Sequence, residues 1–217
     1  MAEDTNIMRI KKPMFHPRFG LCIDWETTGS DWENPLGSIV KYQGISFGAA
    51  IFETDTFEIV ESIYREVQFD DSKYHWTKEA EKIHGISQEY LKENGISRED
   101  AAADIYEMII KFIGPTDKIM FLGHNCQFDI DFTNQLVTDV GLPKLNLHHV
   151  KLDTSALGFI TLGLYKSDHL FQRMGFSRPE KHNALDDVKM TLTTCQIINS
   201  IMKVEASKYL GEFEWLN

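Results

Sequence analysis

Apolar residues change their spacing several times along this chain, and each change marks an element. Phe19 to Asp24 is a continuous apolar run that stops on an acid, as a buried strand does at its end. Tyr42 to Glu53 and Phe57 to Phe69 are rich in Ile, Val, Phe and Tyr and are separated by Thr54-Asp55-Thr56, which predicts an antiparallel hairpin. Between the first strand and this hairpin, the polar stretch from Ser30 to about Lys41 contains Trp and Pro and reads as a loop.

Helical spacing takes over beyond the hairpin. Lys78 to His84 and Ser87 to Glu93 predict short helices, and Arg98 to Ile113 a longer one that stops at Gly114-Pro115. Lys118 to Leu122 is a short buried strand running into His124-Asn125, and Phe128 to Val140 is helical until Gly141-Leu142-Pro143. Asn146 to Leu152 predicts a last strand, followed by helical stretches from Thr154 and around His169 to Met174, then a loop from Gly175 to Lys181. From Asn183 to about Tyr209, the residues Leu185, Val188, Leu192, Cys195, Ile198 and Met202 form one apolar stripe on a long helix. Three strands, helices, strand, helix, strand and helices make one mixed α/β domain over residues 18–217, preceded by an extension over residues 1–17.

Composition narrows the class. The chain has 217 residues, 42% hydrophobic and 25% charged, which suits a folded protein with a sizeable core rather than a disordered one. No apolar run approaches the roughly 18 residues that span a bilayer, and the first residues lack the basic and apolar parts of a signal peptide. A soluble, cytoplasmic protein with no membrane partner is expected. Cys22, Cys126 and Cys195 are widely spaced in apolar segments and read as reduced, buried hydrophobes, with neither a disulfide nor a zinc site expected. A net charge of -11 and a pI near 5.1 argue against long-range capture of duplex DNA, which calls for a basic stripe. A nucleic-acid partner would instead be held at a metal-filled site that takes one strand end. The one dense basic cluster, Arg9 to Arg18, reads as a solvated extension.

The candidate chemistry lies at element ends. Asp24 and Glu26 are two apart on a strand and therefore share a face, where two close carboxylates favour a cation or a proton between them. Asp129 follows His124-Asn125 in the first turns of a helix. Asp187 opens the last helix beside Ala184, Val188 and Thr191 of the buried stripe, while Asp186 is turned about 100° away and reads as solvated or capping. Taken singly, each of these acids is more simply a cap or a surface group, and His182 a cap of the final helix.

Together, Asp24-x-Glu26, His124-Asn125-x-x-Phe128-Asp129 and His182-x4-Asp187, in this order, resemble the three exonuclease motifs of the DnaQ-like family, in its histidine-containing DEDD class. The resemblance spans roughly residues 18–205, and Ile83-His84-Gly85-Ile86-Ser87 is similar to a segment the family uses near the terminal nucleotide. It implies an RNase H-like fold, a mixed five-stranded sheet flanked by helices, and release of nucleoside monophosphates from a 3′ end by two divalent metals. By that pattern Asp24 bridges both ions, Glu26 and Asp187 hold the ion carrying the attacking water, Asp129 supports the other, and His182 is the general base. Hard oxygen ligands select Mg²⁺ or Mn²⁺ over zinc, and a histidine titrating near neutrality suits the base.

Thr27 and Thr28 are expected to donate to the terminal nucleotide, with His84 and Asn125 as further substrate contacts and Phe128 packed in the core. Asp24-Trp25-Glu26-Thr27-Thr28-Gly29 is more like the proofreading and DNA-trimming branches, so single-stranded DNA ends rank ahead of RNA. A DNA polymerase or a second copy of the chain is an expected partner. An RNA-trimming exoribonuclease and a catalytically idle scaffold, with docking elements at residues 31–41 and 205–217, are the alternatives; all five catalytic positions being present disfavours the scaffold. An RNase H-like endonuclease is disfavoured by the His-x4-Asp arrangement.

Overall fold

The structure is a computed structural model that describes residues 17–210 except 32 and 178. At its centre β1 (Phe19–Thr27) alternates strictly: Leu21, Ile23 and Trp25 enter one core, while Cys22, Asp24 and Glu26 face the other side. β2 (Gly44–Glu53) pairs antiparallel along all of β1, from Phe19↔Glu53 to Thr27↔Gly44, and β3 (Ile59–Glu66) pairs antiparallel with β2. β4 (Ile119–Gly123) and β5 (Leu147–Asp153) join in parallel, giving the order β3-β2-β1-β4-β5. This is the mixed five-stranded sheet expected, though β1 runs three residues past its predicted end, to Thr27. The whole length of β2 continues to offer it hydrogen bonds, which an acid at position 24 does not interrupt.

Helices cover both faces. α4 (Arg98–Phe112) and α5 (Cys126–Asp139) bury Ile105, Ile109, Ile130, Phe132 and Leu136 against Leu21, Ile23, Phe47 and Ile51. On the opposite face α8 (Ala184–Leu210) lays Val188, Leu192 and Cys195 over Cys22, Ala50, Phe52 and Leu122. Each fully buried Phe, Ile or Leu contributes roughly 1.5–3 kcal/mol through area removed from water. The start of α8 approaches the sheet very closely at Gly48, where an added Cβ would stand 2.4 Å from the Leu185 backbone. Gly48 is the direct partner of Asp24, so the missing side chain sets the helix start beside the acids.

α2 (Lys78–His84) and α3 (Gln88–Asn94) follow the hairpin, each capped by the hydroxyl before it, Thr77 and Ser87. α6 (Thr154–Leu162) and α7 (Ser167–Arg173) lie between β5 and α8. The expected loop from Ser30 to Lys41 is corrected: Pro35–Lys41 forms α1. Proline occupies its first turn, where no N–H is needed, and Asp31 accepts from Asn34 N–H and pairs with Lys41 at 2.8 Å across the helix. The three cysteines are buried and free, and among the described residues no helix is long and apolar enough to cross a membrane. Trp32, residues 1–16 and the tail from 211, including Phe213 and Trp215, lie outside the described residues.

Candidate active site

The site arises where β1 outruns its parallel neighbour. β4 pairs with β1 only at Gly20, Leu21 and Cys22, so Asp24 to Thr27 continue past its end. The Trp25 N–H, beyond the ladder, donates to Asp129 Oδ1 at 3.0 Å. A second tie crosses the same gap: Trp25 Nε1–H donates to Thr133 Oγ1 at 2.9 Å, and that hydroxyl donates to the Asp129 carbonyl. Asp129 is aimed by the turn before it, where Asn125 takes the left-handed conformation, φ 63°. The Asp153 carboxylate, from the end of β5, accepts the Asn125 and Cys126 N–H groups at 3.1 and 3.0 Å and so holds the start of α5.

The other wall is the start of α8. Asn183 Oδ1 accepts the N–H groups of Leu185 and Asp186, so the cap is Asn183 and not His182. One residue further the helix turns Asp187 inward, 3% exposed, and leaves Asp186 at the surface beside Lys189. His182 is tied to α2 through its N–H to the Ile83 carbonyl at 3.1 Å. One ligand atom from each of Glu26, His182 and Asp187 lies within 4.8 Å of the other two.

These groups line a cleft of about 670 Å³. Burial, with Glu26 and Asp153 nearby, holds the Asp129 carboxyl well above the usual carboxylate range, against the pull of the Trp25 N–H. His84 is pushed the other way, down to about 4, first by burial and then by His182 and Lys181. Its Nδ1 accepts the Ile86 N–H at 3.0 Å, so the neutral ring carries its proton on Nε2, which is buried without a hydrogen-bond partner. The residues suit hard divalent cations. Glu26, Asp129 and Asp187 are all under 9% exposed, and a cation beside them would offset first the burial and then the Glu26 and Asp153 charges that raise Asp129.

Of the residues singled out in the sequence, Asp24, Glu26, Thr27, His84, Asn125, Asp129, His182 and Asp187 all line this cleft. Thr28 does not. Its hydroxyl accepts the Gln43 N–H, its carbonyl takes the Thr77 N–H and hydroxyl, and its side chain is fully buried, so it fixes the turn after β1. Phe128 packs against the core and also reaches the cleft. The sequence reading missed His124, Thr77, Glu79, Ser167 and Asp168 as lining groups. His124 stood beside Asn125 in a motif already noticed and could have been found there; Ser167 and Asp168 carry no local signal.

Known proteins share this architecture. E. coli exonuclease I in complex with single-stranded DNA and zinc superposes with a TM-score of 0.69 at 17% identity, over 86% of this chain and 41% of that one. A 3′-exonuclease in 3′-end-specific recognition of a histone mRNA stem-loop superposes at 0.65, also at 17% identity, over 86% of this chain and 84% of that one. In sequence the chain is 25% identical over 197 residues to a PolC-type DNA polymerase III of Thermotoga maritima, matching 89% of this chain and 13% of the polymerase. The chain thus spans a small part of that curated relative. The profile of the RNase_T exonuclease family matches residues 21–194, which include every acid of the cleft as well as His182, and the chain therefore belongs to this family of exonucleases, with their DnaQ-like, RNase H-like fold.

Proposed function

We propose that the protein is a metal-dependent 3′-to-5′ exonuclease that releases nucleoside monophosphates from single-stranded DNA ends. The observation that carries this reading is the convergence of Glu26, His182 and Asp187 to within 4.8 Å in a cleft also lined by Asp24 and Asp129. Asp24, Glu26, Asp129 and Asp187 would hold two Mg²⁺ or Mn²⁺ ions, which supply charge stabilisation at the attacking and leaving oxygens. His182 stands within reach of the position that Glu26 and Asp187 define and removes the proton from the attacking water there. The Trp25 N–H keeps Asp129 pointed into the cleft, and His84, held neutral, presents an N–H to the terminal nucleotide. Thr27 and Asn125, lining the same cleft, contact that nucleotide as well.

DNA is placed ahead of RNA because the sequence relative is a DNA polymerase, and association with a polymerase is part of the proposal. The test is digestion of 5′-labelled single-stranded DNA and RNA with Mg²⁺ or Mn²⁺, beside Asp24→Ala and His182→Ala. A ladder shortening from the 3′ end and lost in Asp24→Ala is expected. No product from either strand with either metal would sink the reading and leave a binding module; faster loss of RNA would move the substrate to RNA.

A further inference from the structure

α6 turns an apolar side to water. Thr154 and Gly158 are buried and Leu157 packs on the core under α8, which leaves the opposite side of the helix uncovered. There Phe159 is 62% exposed and Ile160 81%, with Leu162 at the helix end and Tyr165, 59% exposed, just past it. Single exposed apolar residues are ordinary, but four within seven positions make a patch that calls for a partner. The chain folds back at this point. Gly163 takes the left-handed conformation, φ 71°, and the Leu164 N–H donates to the Gly158 carbonyl at 3.2 Å. A Cβ on Gly158 would stand 2.5 Å from the Leu164 carbonyl oxygen, so glycine is what allows this return. Tyr165 is thereby brought back alongside the turn of α6 that bears Phe159. Two residues further on, Ser167 and Asp168 line the cleft.

Charge and area choose the partner. From Thr154 to Ser167 there is no acid and one base, Lys166, in a chain with 33 acids and a net charge of -11. Lys166 is exposed and, among the described residues, makes no ion pair. The acid just before this stretch, Asp153, is occupied by the N–H groups of Asn125, Cys126 and Ser155. A polyanion leaving the cleft past Ser167 thus crosses α6 residues whose single charge attracts it. The four apolar side chains expose a few hundred Å² in all, short of the roughly 800 Å² per partner that a stable protein interface buries. Aromatic rings, by contrast, hold the bases of a single strand one by one, whatever the sequence. We propose that the outer face of α6 and the turn after it form a stacking platform for the single strand behind its 3′ end. Bases upstream of the terminal nucleotides lie on Tyr165 and Phe159, and a phosphate passes Lys166. The proposal rests on the exonuclease reading above, in which His84 on the opposite wall takes the terminal nucleotide, and it makes substrate length a determinant of affinity.

The test measures KM and kcat of the full chain for a thymidine dodecamer and for a thymidine dinucleotide, which probes the cleft alone. Tyr165→Ala and Phe159→Ala should each raise KM for the dodecamer about 5- to 150-fold, the loss of one stacked base, while kcat and the KM for the dinucleotide are kept. Tyr165→Trp should return KM for the dodecamer to the wild-type value, and Ile160→Ala, which removes no ring, should leave it there. All four side chains are exposed, so folding is not at stake. A second readout is photocrosslinking of dodecamers that carry a single iodinated uracil, with the labelled residue located by mass spectrometry. Phe159 or Tyr165 should be labelled when that base lies upstream of the terminal two nucleotides. Equal dodecamer KM values for wild type and both alanine variants overturn the proposal, as does a rise of the same size for the dinucleotide. A concentration-dependent mass in sedimentation that Phe159→Ala abolishes would give the face to a second copy of the chain instead. If the wild type shortens neither substrate, the exonuclease reading fails and the platform falls with it.

Discussion

Asp129 is where function and stability pull hardest against each other. Its carboxyl is buried beside Glu26, with its pKa raised first by burial, and the leading contact that compensates is the Trp25 N–H at 3.0 Å. A raised folded pKa means that ionised Asp129 favours folding less as pH climbs through that value; the metal-free protein bears this burden at neutral pH. Asp129→Asn keeps an oxygen for the Trp25 N–H and removes the charge. The metal-free melting temperature should therefore rise by about 2–4 °C, what roughly 1 kcal/mol gives in a domain of this size, while exonuclease activity drops at least about 100-fold, as loss of a ligand would require. His84 has the opposite sign. Its folded pKa, about 4, lies below the ordinary 6.5, so the stability it contributes is present above pH 6.5 and is lost as pH falls from there toward 4, where the unfolded chain takes up a proton first. Melting curves across that window should fall less steeply for His84→Gln than for wild type; equal slopes would refute the assignment. The acids and His182 were legible as residues because their spacing is local, whereas the neutral state of His84 depends on burial by distant segments.

At the scale of elements, the approach of α8 to β2 sets the distance between Asp187 and the acids of β1. Gly48 permits that approach, since a Cβ there would stand 2.4 Å from backbone atoms of Leu185. Gly48→Val should push the helix start outward, separating His182 and Asp187 from Glu26. A loss of more than about 100-fold in kcat/KM is expected, on the scale that misplacing a catalytic group by about 1 Å costs, with circular dichroism showing the helices intact; near-normal activity would mean the helix start does not set the site. The elements themselves were largely readable from periodicity, down to the stripe of Val188, Leu192 and Cys195 that seats α8. α1 escaped because its proline and glycine resemble loop residues, and the Asp31 contacts with Asn34 and Lys41 that brace it bridge the turn before the helix and the helix's far end. The extra length of β1 escaped for a related reason: a strand's end is decided by its neighbours' hydrogen bonds, here those of β2.

For the whole molecule, charge and metal make two linked expectations. A net charge of -11 opposes long-range capture of a phosphate backbone, so KM for single-stranded DNA is expected to depend only shallowly on salt. A slope corresponding to more than about three phosphates would point to an undetected basic surface. Cations that bind the folded cleft and not the unfolded chain should stabilise by mass action, about 2.7 kcal/mol at 100 times their dissociation constant, and a chelator should lower the melting temperature by the matching amount. An unchanged melting curve on adding Mn²⁺ or a chelator would remove the metal from the account. The order of strands and helices, and the acids that come to line the cleft, follow from the sequence alone, because hydrophobic period, turn residues and short motifs are local properties. Tertiary structure alone decided the rest. The bond from Trp25 to Asp129 joins residues 104 apart, Ser46 meets Glu26 only through strand register, and Thr28 is drawn away from the cleft by Gln43 and Thr77. Such contacts depend on how whole faces pack, and no window along the chain contains both partners.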